Sequence, residues 1–324
     1  MIKALFQDIK KLGIEHITTH NAPSGPGKCL LSFLAHRSYK IFHFTSNEIW
    51  PSVAANMLSG IPTAIETMHA CGVLSPESTV ILAHANSLAP NDIRLVKENG
   101  AYLSSTPSVE LQMGLGKPAC FDATRDVQSH SSLGIDCHNV VLASIASEMR
   151  CALVNSRGLY HDEFLSAGKM AAKINHTVKE AYALGTIQGA RAVGMENEIG
   201  TLTVGKKADI IVFDGLSPSM ICGAQNDPVT AIVMHSTPGD IEMTFVDGIL
   251  RKADGKLLPV PITPKDSEIV GVQTTILSWS DVSKNLLKTQ ETLLAKIGKL
   301  NLEAAKLDAC NSFGIDASLI TAKL

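Results

Sequence analysis

Three short apolar stretches each end in a side chain that could bind a metal or transfer a proton. Residues 15–20, 79–84 and 132–136 deliver His20, His84 and Asp136 at their ends. Each stretch has the length and the β-branched content of a buried strand. Because functional groups gather at the C-terminal ends of the strands in barrels of parallel strands, we expect these three side chains to converge on one site.

Simpler roles compete with this interpretation. Asp136 could be a helix N-cap, and His84 could be a buried histidine with satisfied hydrogen bonds. His16 is a rival to His20, since it lies four residues earlier on the same face of the predicted strand. The alternatives stay open at the level of sequence.

The loops that follow the predicted strands offer further candidates. Ser105-Thr106-Pro107 follows a predicted strand at residues 101–105, and Glu110 or Gln112 just beyond it could contact a substrate. His138, close to Asp136, could line the pocket, although a surface or capping role fits it equally well. Cys137 is interpreted as a packing residue, because no base is arranged to activate its thiol.

Composition limits the classes of partner. The chain has 324 residues, 45% hydrophobic and 18% charged, with 28 basic and 31 acidic side chains and a formal net charge of -3. This balance gives no electrostatic case for nucleic acid or an anionic membrane surface as a partner. The seven cysteines form no CxxC pair and no run resembles a signal or membrane span, which predicts a reduced, cytoplasmic protein.

Predicted strands and helices alternate through the first two thirds of the chain. Helices are expected at residues 62–71, 88–99 and 140–155 between the predicted strands, which is the pattern of βαβ units and a parallel sheet. Residues 28–60 interrupt it with five aromatic and only four charged residues, and we interpret them as an atypical insert.

The character of the chain changes near residue 198. Short strands are predicted at 210–213, 229–234, 243–247 and 249–251, and a polar helical pattern follows from residue 266. We therefore predict three parts: residues 1–197 with the insert, a small β-rich module at 198–262, and a helical C-terminal tail at 263–324.

Residues 199–213 read Ile-Gly-Thr-Leu-x-x-Gly-Lys-x-Ala-Asp-Ile-Ile-Val-Phe. This pattern resembles the junction between barrel and β-sandwich in metal-dependent amidohydrolases, in the branch that holds atrazine chlorohydrolase, guanine deaminase and cytosine deaminase. Leu-Ala-His-Ala-Asn at residues 82–86 and Leu-Gly-Ile-Asp at residues 133–136 are similar to motifs of the same family.

The resemblance implies a (β/α)8 barrel whose metal is held by a His-x-His pair on the first strand, a histidine on the fifth and an aspartate on the eighth. Carried over, His20 matches the fifth-strand ligand and Asp136 the eighth-strand ligand. His84 matches the sixth-strand histidine, which contacts the substrate. The implied cofactor is a divalent metal, zinc first and iron as the alternative.

The chain departs from that pattern. It contains no His-x-His, no acidic residue shortly follows His20, and residues 1–197 are fewer than the ~250 of a complete barrel. The expected fold is therefore α/β, an incomplete (β/α) TIM-type barrel corresponding to the C-terminal half, followed by a small β-sandwich-like module and a helical tail.

Two functions from different classes follow. The first is metal-dependent hydrolysis of a C–N bond in a small cyclic or heteroaromatic substrate, by deamination, amide hydrolysis or the related dechlorination. Asp136 would take the proton of the attacking water, and His84 would polarise the leaving group or stabilise the developing charge. The second is a truncated, catalytically incomplete amidohydrolase that acts at most as a binding or oligomer partner, with a homo-oligomer covering open sheet edges.

Overall fold

The computed structural model describes residues 16–21, 30–32, 41–46, 62–122, 124–263 and 275–312, the first three ranges as backbone strands only. Throughout these ranges, no helix combines the length and the apolar content needed to cross a bilayer.

A six-stranded sheet in the order β2-β1-β3-β4-β5-β6 organises the first half of the chain. Five of its strands run parallel, and β2 pairs antiparallel with β1 at one edge. The strands are β1 (His16–Asn21), β2 (Leu30–Ser32), β3 (Ile41–Ser46), β4 (Thr79–Ala83), β5 (Tyr102–Ser105) and β6 (Ser131–Leu133). Parallel pairing brings the C-terminal ends of these strands to one edge, as the βα alternation predicted.

The segment predicted as an insert contributes two of these strands. β3 lies between β1 and β4 and pairs in parallel with both, and β2 also falls within residues 28–60. The insert interpretation is therefore wrong for residues 30–32 and 41–46. The apolar, aromatic composition of β3 is that of a strand with neighbours on both sides, which the sequence analysis read as foreign.

Helices connect and cover the parallel strands. They are α1 (Ala64–Ala70), α2 (Pro90–Glu98), α3 (Pro107–Gln112), α4 (Ile145–Ser166), α5 (Val178–Leu184) and α6 (Ile187–Ala192). The predicted helix at 140–155 in fact begins five residues later and extends to Ser166, because Ser144 is its N-cap and accepts a hydrogen bond from the Ser147 N–H.

Beyond residue 209 a second, antiparallel sheet forms in the order β10-β9-β8-β7. Its strands are β7 (Ile210–Phe213), β8 (Ile241–Val246), β9 (Ile249–Ala253) and β10 (Lys256–Leu257), with helices α7 (Ile221–Asn226) and α8 (Pro228–Met234) between β7 and β8. The strand predicted at 229–234 is wrong, since those residues form α8. A short pair follows, β11 (Val260–Pro261) with β12 (Ile276–Leu277), and then helices α9 (Trp279–Ile297) and α10 (Leu302–Ser312).

Two apolar clusters hold the first half together. One joins β4 and β5 to α1 and α2, with Leu82, Leu95 and Leu103 almost fully buried. The other lies under α4 and α5 and reaches α8 through Val233. Burying a leucine side chain contributes ~2 kcal/mol, so these clusters fix the strand ends from which the candidate site is built.

Candidate functional site

His84 stands at the C-terminal end of β4. The strand before it is apolar and buried, and the His84 N–H still donates to Ser104 O of β5 at 3.2 Å. At His84 the backbone turns into the left-handed region, with φ at 59°. This conformation is uncommon outside glycine, and it directs the chain out of the sheet immediately after the histidine.

Asp136 follows β6 with the same backbone feature, φ at 61°. Its carboxylate Oδ2 lies 3.4 Å from Nε2 of His84. The His84 side chain is 5% exposed and the Asp136 side chain 30% exposed, so the pair opens outward on the aspartate side. Two of the three side chains predicted to converge do so.

Gly134 allows this approach of β6 to β5. A Cβ built at Gly134 would lie 2.8 Å from Ser104 Oγ and 3.2 Å from Thr106 Cγ2. The Gly134 N–H donates to Ser105 O at 2.8 Å, which ties the segment leading to Asp136 onto the end of β5.

Behind His84 lies a buried polar chain. Nδ1 of His84 is 2.9 Å from the Thr106 hydroxyl and 3.5 Å from Glu110 Oε1. Glu110 Oε1 accepts from the Thr106 N–H at 2.8 Å and from its hydroxyl at 3.4 Å. Glu110 has no exposed surface. It lies behind the imidazole and away from solvent, and its contact with a substrate stays a prediction.

A thiol and another carboxylate lie near Glu110. Burial raises the pKa of Cys120 to about 12, with a further contribution from Glu110. Burial also raises the pKa of Glu148, which accepts from the Ser108 N–H at 2.9 Å and is affected by Glu110. Cys120 is thus an unreactive thiol.

His20 lies at the same edge of the sheet, although its side chain is outside the described part of the structure. In the strand register, His20 pairs with Thr45 of β3, and Thr45 pairs with Ala83 just before His84. His16 is in line with Thr79, at the opposite end of the strands. The register therefore favours His20 over His16. The resemblance matched His20 and His84 to the fifth and sixth strands of the family barrel, which are consecutive. In the structure β3 lies between β1 and β4, so the two histidines are not on consecutive strands.

The described side chains do not by themselves fit a metal ion. Among them no group of three histidine, cysteine, aspartate or glutamate residues is placed to hold one. His84 and Asp136 offer one imidazole nitrogen and one carboxylate, which is short of the ligand set of a zinc site.

The remaining sequence candidates are exposed side chains. Gln112 is exposed and its side chain donates to Ser108 O at 2.9 Å, within its own helix. His138 is exposed two residues beyond Asp136. Asp136 is not an N-cap, since the next helix begins after Ser144. Cys137 is exposed, so it is not the packing residue that was predicted. Its Sγ lies 3.5 Å from Asp136 Oδ1, and burial together with that carboxylate raises the thiol pKa.

One feature of the site was missed at the level of sequence. Thr106 was named only as part of a loop, yet its hydroxyl bridges His84 and Glu110. The adjacent Ser-Thr-Pro after a strand was a usable signal for Thr106.

The amidohydrolase family matches residues 40–251. A 5-methylthioadenosine/S-adenosylhomocysteine deaminase from Symbiobacterium thermophilum is 32% identical over 172 residues, which are 52% of this chain and 36% of the relative. A 5'-deoxyadenosine deaminase from Methanobrevibacter smithii is 28% identical over 221 residues, 66% of this chain and 45% of the relative. The chain spans less than half the length of these two curated relatives.

Solved structures show the same fold. An adenosine deaminase from Xanthomonas campestris with bound zinc has a TM-score of 0.56 at 17% identity, covering 71% of this chain and 48% of that one. Atrazine chlorohydrolase from Arthrobacter aurescens, complexed with zinc, has a TM-score of 0.52 at 18% identity, covering 71% and 47%. These neighbours imply a TIM-type barrel, which agrees with a parallel sheet whose strands all end at one edge. Fold, motifs and family match lead to one conclusion: the chain belongs to the metal-dependent amidohydrolases.

Proposed function

We propose that this chain is part of a hydrolase that removes an amino group from a small nitrogen heterocycle. The observation that carries the proposal is the pairing of His84 Nε2 with Asp136 Oδ2 at 3.4 Å, at the C-terminal edge of the parallel sheet. The relatives named above as deaminases act on adenosine-type compounds, so adenine nucleosides are the first substrates to test. Dechlorination of a heterocycle is the related alternative, suggested by the atrazine chlorohydrolase.

The two side chains can move the protons that deamination requires. Water adds to the ring carbon that bears the amino group, the C–N bond breaks and ammonia leaves. Asp136, the more exposed partner, accepts a proton from the attacking water. His84 Nε2, within reach of that carboxylate, takes the proton on and delivers it to the leaving nitrogen. Positioned acid–base groups of this kind contribute about 10²–10⁴-fold in rate.

The zinc in the neighbouring structures implies a divalent metal for the family. We propose zinc in preference to iron for the complete protein, with ligands beyond the described side chains. Metal analysis of the purified full chain tests this directly.

We also propose that the chain self-associates through the open edges of its sheets. Gel filtration of the same sample tests this proposal.

The test of function is ammonia release from a panel of adenine nucleosides, free aminopurines and an aminotriazine, with zinc supplied. Asp136→Asn should lower the rate at least about 100-fold. Asp126→Asn is the matched control, because Asp126 also has a positive φ of 48° but is paired with Lys97 on the surface. Equal rates for Asp136→Asn and wild type would refute the proposed site.

A second candidate is a binding domain without turnover. It is favoured by the finding that, among the described side chains, two potential metal donors converge where a full ligand set is needed. A chain that binds a purine nucleoside, contains no stoichiometric metal and releases no ammonia would support this candidate over the first.

A further inference from the structure

We propose that the apolar side of helix α9 is an interaction surface through which two copies of this chain associate. Each copy would present the same side of the helix to the other. This surface is separate from the open sheet edges named above, and the inference does not depend on the proposed function.

The apolar side chains of α9 (Trp279–Ile297) lie on one side of the helix. At 3.6 residues per turn they fall within an arc of about 140°, which we call the α9 stripe. Its members are Trp279, Val282, Leu286, Leu287, Leu293, Leu294 and Ile297. Ser283 and Gln290 are the polar residues within the arc. A stripe of this width is typical of a helix that packs its apolar side against protein.

The α9 stripe is uncovered in the structure. Leu286 is 56% exposed, Leu293 51% and Ile297 47%. All residues from 284 to 300 are exposed. The Ser278–Asp281 capping box stabilises the first turn of the helix. Because helices in proteins owe most of their stability to the packing of an amphipathic face, the rest of α9 calls for a partner on its apolar side.

The exposed apolar area is sufficient for a stable dimer. Covering a leucine completely removes roughly 100 Å² of apolar surface from water, and the members of the α9 stripe from Leu286 onward are about half exposed. Together with the larger Trp279, the stripe offers roughly 450 Å². Two facing copies would bury roughly 900 Å² of apolar surface. Since a little over half of a typical interface is apolar, the total reaches about 1,600 Å², the size of a standard interface.

A second copy suits the α9 stripe because the stripe is complementary to itself. A two-fold contact places the same patch on both sides of the interface. The arc contains no charged residue, so two copies can meet without repulsion between like charges. Its aliphatic side chains also require no matching hydrogen-bond donors from a partner of different sequence.

The charged side of α9 argues against a membrane as the partner. It carries three basic and two acidic side chains, which nearly balance: Asp281, Lys284, Lys288, Glu291 and Lys296. A helix that lies on an anionic membrane typically has a polar face rich in lysine and arginine. The mixed charge therefore favours a protein partner.

The test is sedimentation velocity of the full chain over a wide range of protein concentration. The wild type should dimerise. Leu286→Glu combined with Leu293→Glu places charges in the α9 stripe and should raise the dimer dissociation constant at least about 100-fold. The matched control is Lys288→Glu with Ala295→Glu, which has the same spacing on the opposite, exposed side of the helix and should dimerise like the wild type.

A second variant guards against loss of the helix. Leu286→Ala combined with Leu293→Ala keeps the helix propensity high and should weaken the dimer at least about 10-fold. Far-UV circular dichroism checks that each variant is folded.

Two results would overturn the proposal. One is a wild type that stays monomeric at every concentration; binding of that monomer to phosphatidylserine vesicles would assign α9 to a membrane surface instead. The other is a folded Leu286→Glu, Leu293→Glu variant that associates as tightly as the wild type, which would place the contact elsewhere, for example at the sheet edges. Because sedimentation requires no turnover, the result stands whether or not the chain proves to be a deaminase.

Discussion

Two buried carboxylates in this molecule make opposite use of their hydrogen-bonding capacity. Asp240, next to the antiparallel sheet, accepts from the hydroxyls of Ser217 and Ser219 on Oδ1 and from the N–H and hydroxyl of Thr237 on Oδ2. Among the described residues, Glu110 accepts both of its hydrogen bonds on Oε1, and an imidazole lies nearby. Asp240 has donors on both oxygens and stabilises a turn. Glu110 Oε2 has no partner within the described part of the chain.

The difference in hydrogen bonding indicates that Asp240 contributes to stability, whereas Glu110 lies beside the candidate site. Burial alone would raise the pKa of Asp240, but the hydroxyls of Ser217 and Ser219 and the donors of Thr237 outweigh it, so the pKa lies below its ordinary value. Folding thus favours the ionised form of Asp240. At Glu110 the described residues provide no hydrogen bond to Oε2, and a buried polar atom of this kind is more often accepted at functional sites than elsewhere.

The largest effect is expected for Asp240→Asn. Replacing the carboxylate removes charge-assisted bonds from four donors and should lower the free energy of unfolding by about 3 kcal/mol. Urea denaturation of the full chain measures it. Asp254→Asn is the control, because Asp254 is an exposed turn residue with φ at 48°, where asparagine is well accepted. Equal losses for the two variants would contradict the contrast between Asp240 and Glu110.

The pH dependence of that loss sharpens the comparison. Because the folded pKa of Asp240 is depressed, its stabilisation is fully present above the unfolded pKa of about 3.9 and is lost as pH falls through the folded value. The difference in unfolding free energy between wild type and Asp240→Asn should therefore shrink as the solution is acidified below that point. A difference that grows on acidification would show that the sign is wrong.

An intermediate effect is expected for Gly134→Ala. The added methyl would lie 2.8 Å from Ser104 Oγ and 3.2 Å from Thr106 Cγ2, so the ends of β5 and β6 must separate. We expect a loss of about 1–2 kcal/mol in unfolding free energy, measured by urea denaturation. Gly158→Ala in α4, where a Cβ would meet nothing within 4 Å, should instead be neutral or stabilising.

The smallest effect on stability is expected for Glu110→Gln. Gln has nearly the same shape as Glu and keeps an acceptor for the Thr106 N–H, so the unfolding free energy should change by less than about 1 kcal/mol. The same denaturation experiment checks it. A loss as large as that of Asp240→Asn would mean that Glu110 is as structural as Asp240.

The helices and strands around the site were predicted correctly where the spacing of apolar residues and the helix-capping residues indicated the same element. Helix α2 was expected from Pro90-Asn91-Asp92, and Asp92 Oδ2 indeed accepts from the Ala89 N–H at 2.9 Å. The convergence of His84 and Asp136 followed from the shared ends of parallel strands. In both cases short-range chemistry and the global fold favour the same arrangement.

The predicted strand at residues 229–234 is wrong because its β-branched composition was given more weight than the capping residues before it. Residues 229–234 are rich in β-branched side chains, but Asp227 caps them by accepting from the N–H groups of Val229 and Thr230, and Pro228 starts α8. The support of His84 by Glu110 could not be predicted, because it depends on burial and on a Thr106 rotamer, which no spacing in the sequence encodes.

A crystal structure of the chain with zinc and a purine riboside tests the proposed site most directly. We expect ligand density at the C-terminal edge of the parallel sheet, within hydrogen-bond distance of both His84 Nε2 and Asp136. Ligand bound elsewhere, with His84 and Asp136 turned away from each other, would contradict it.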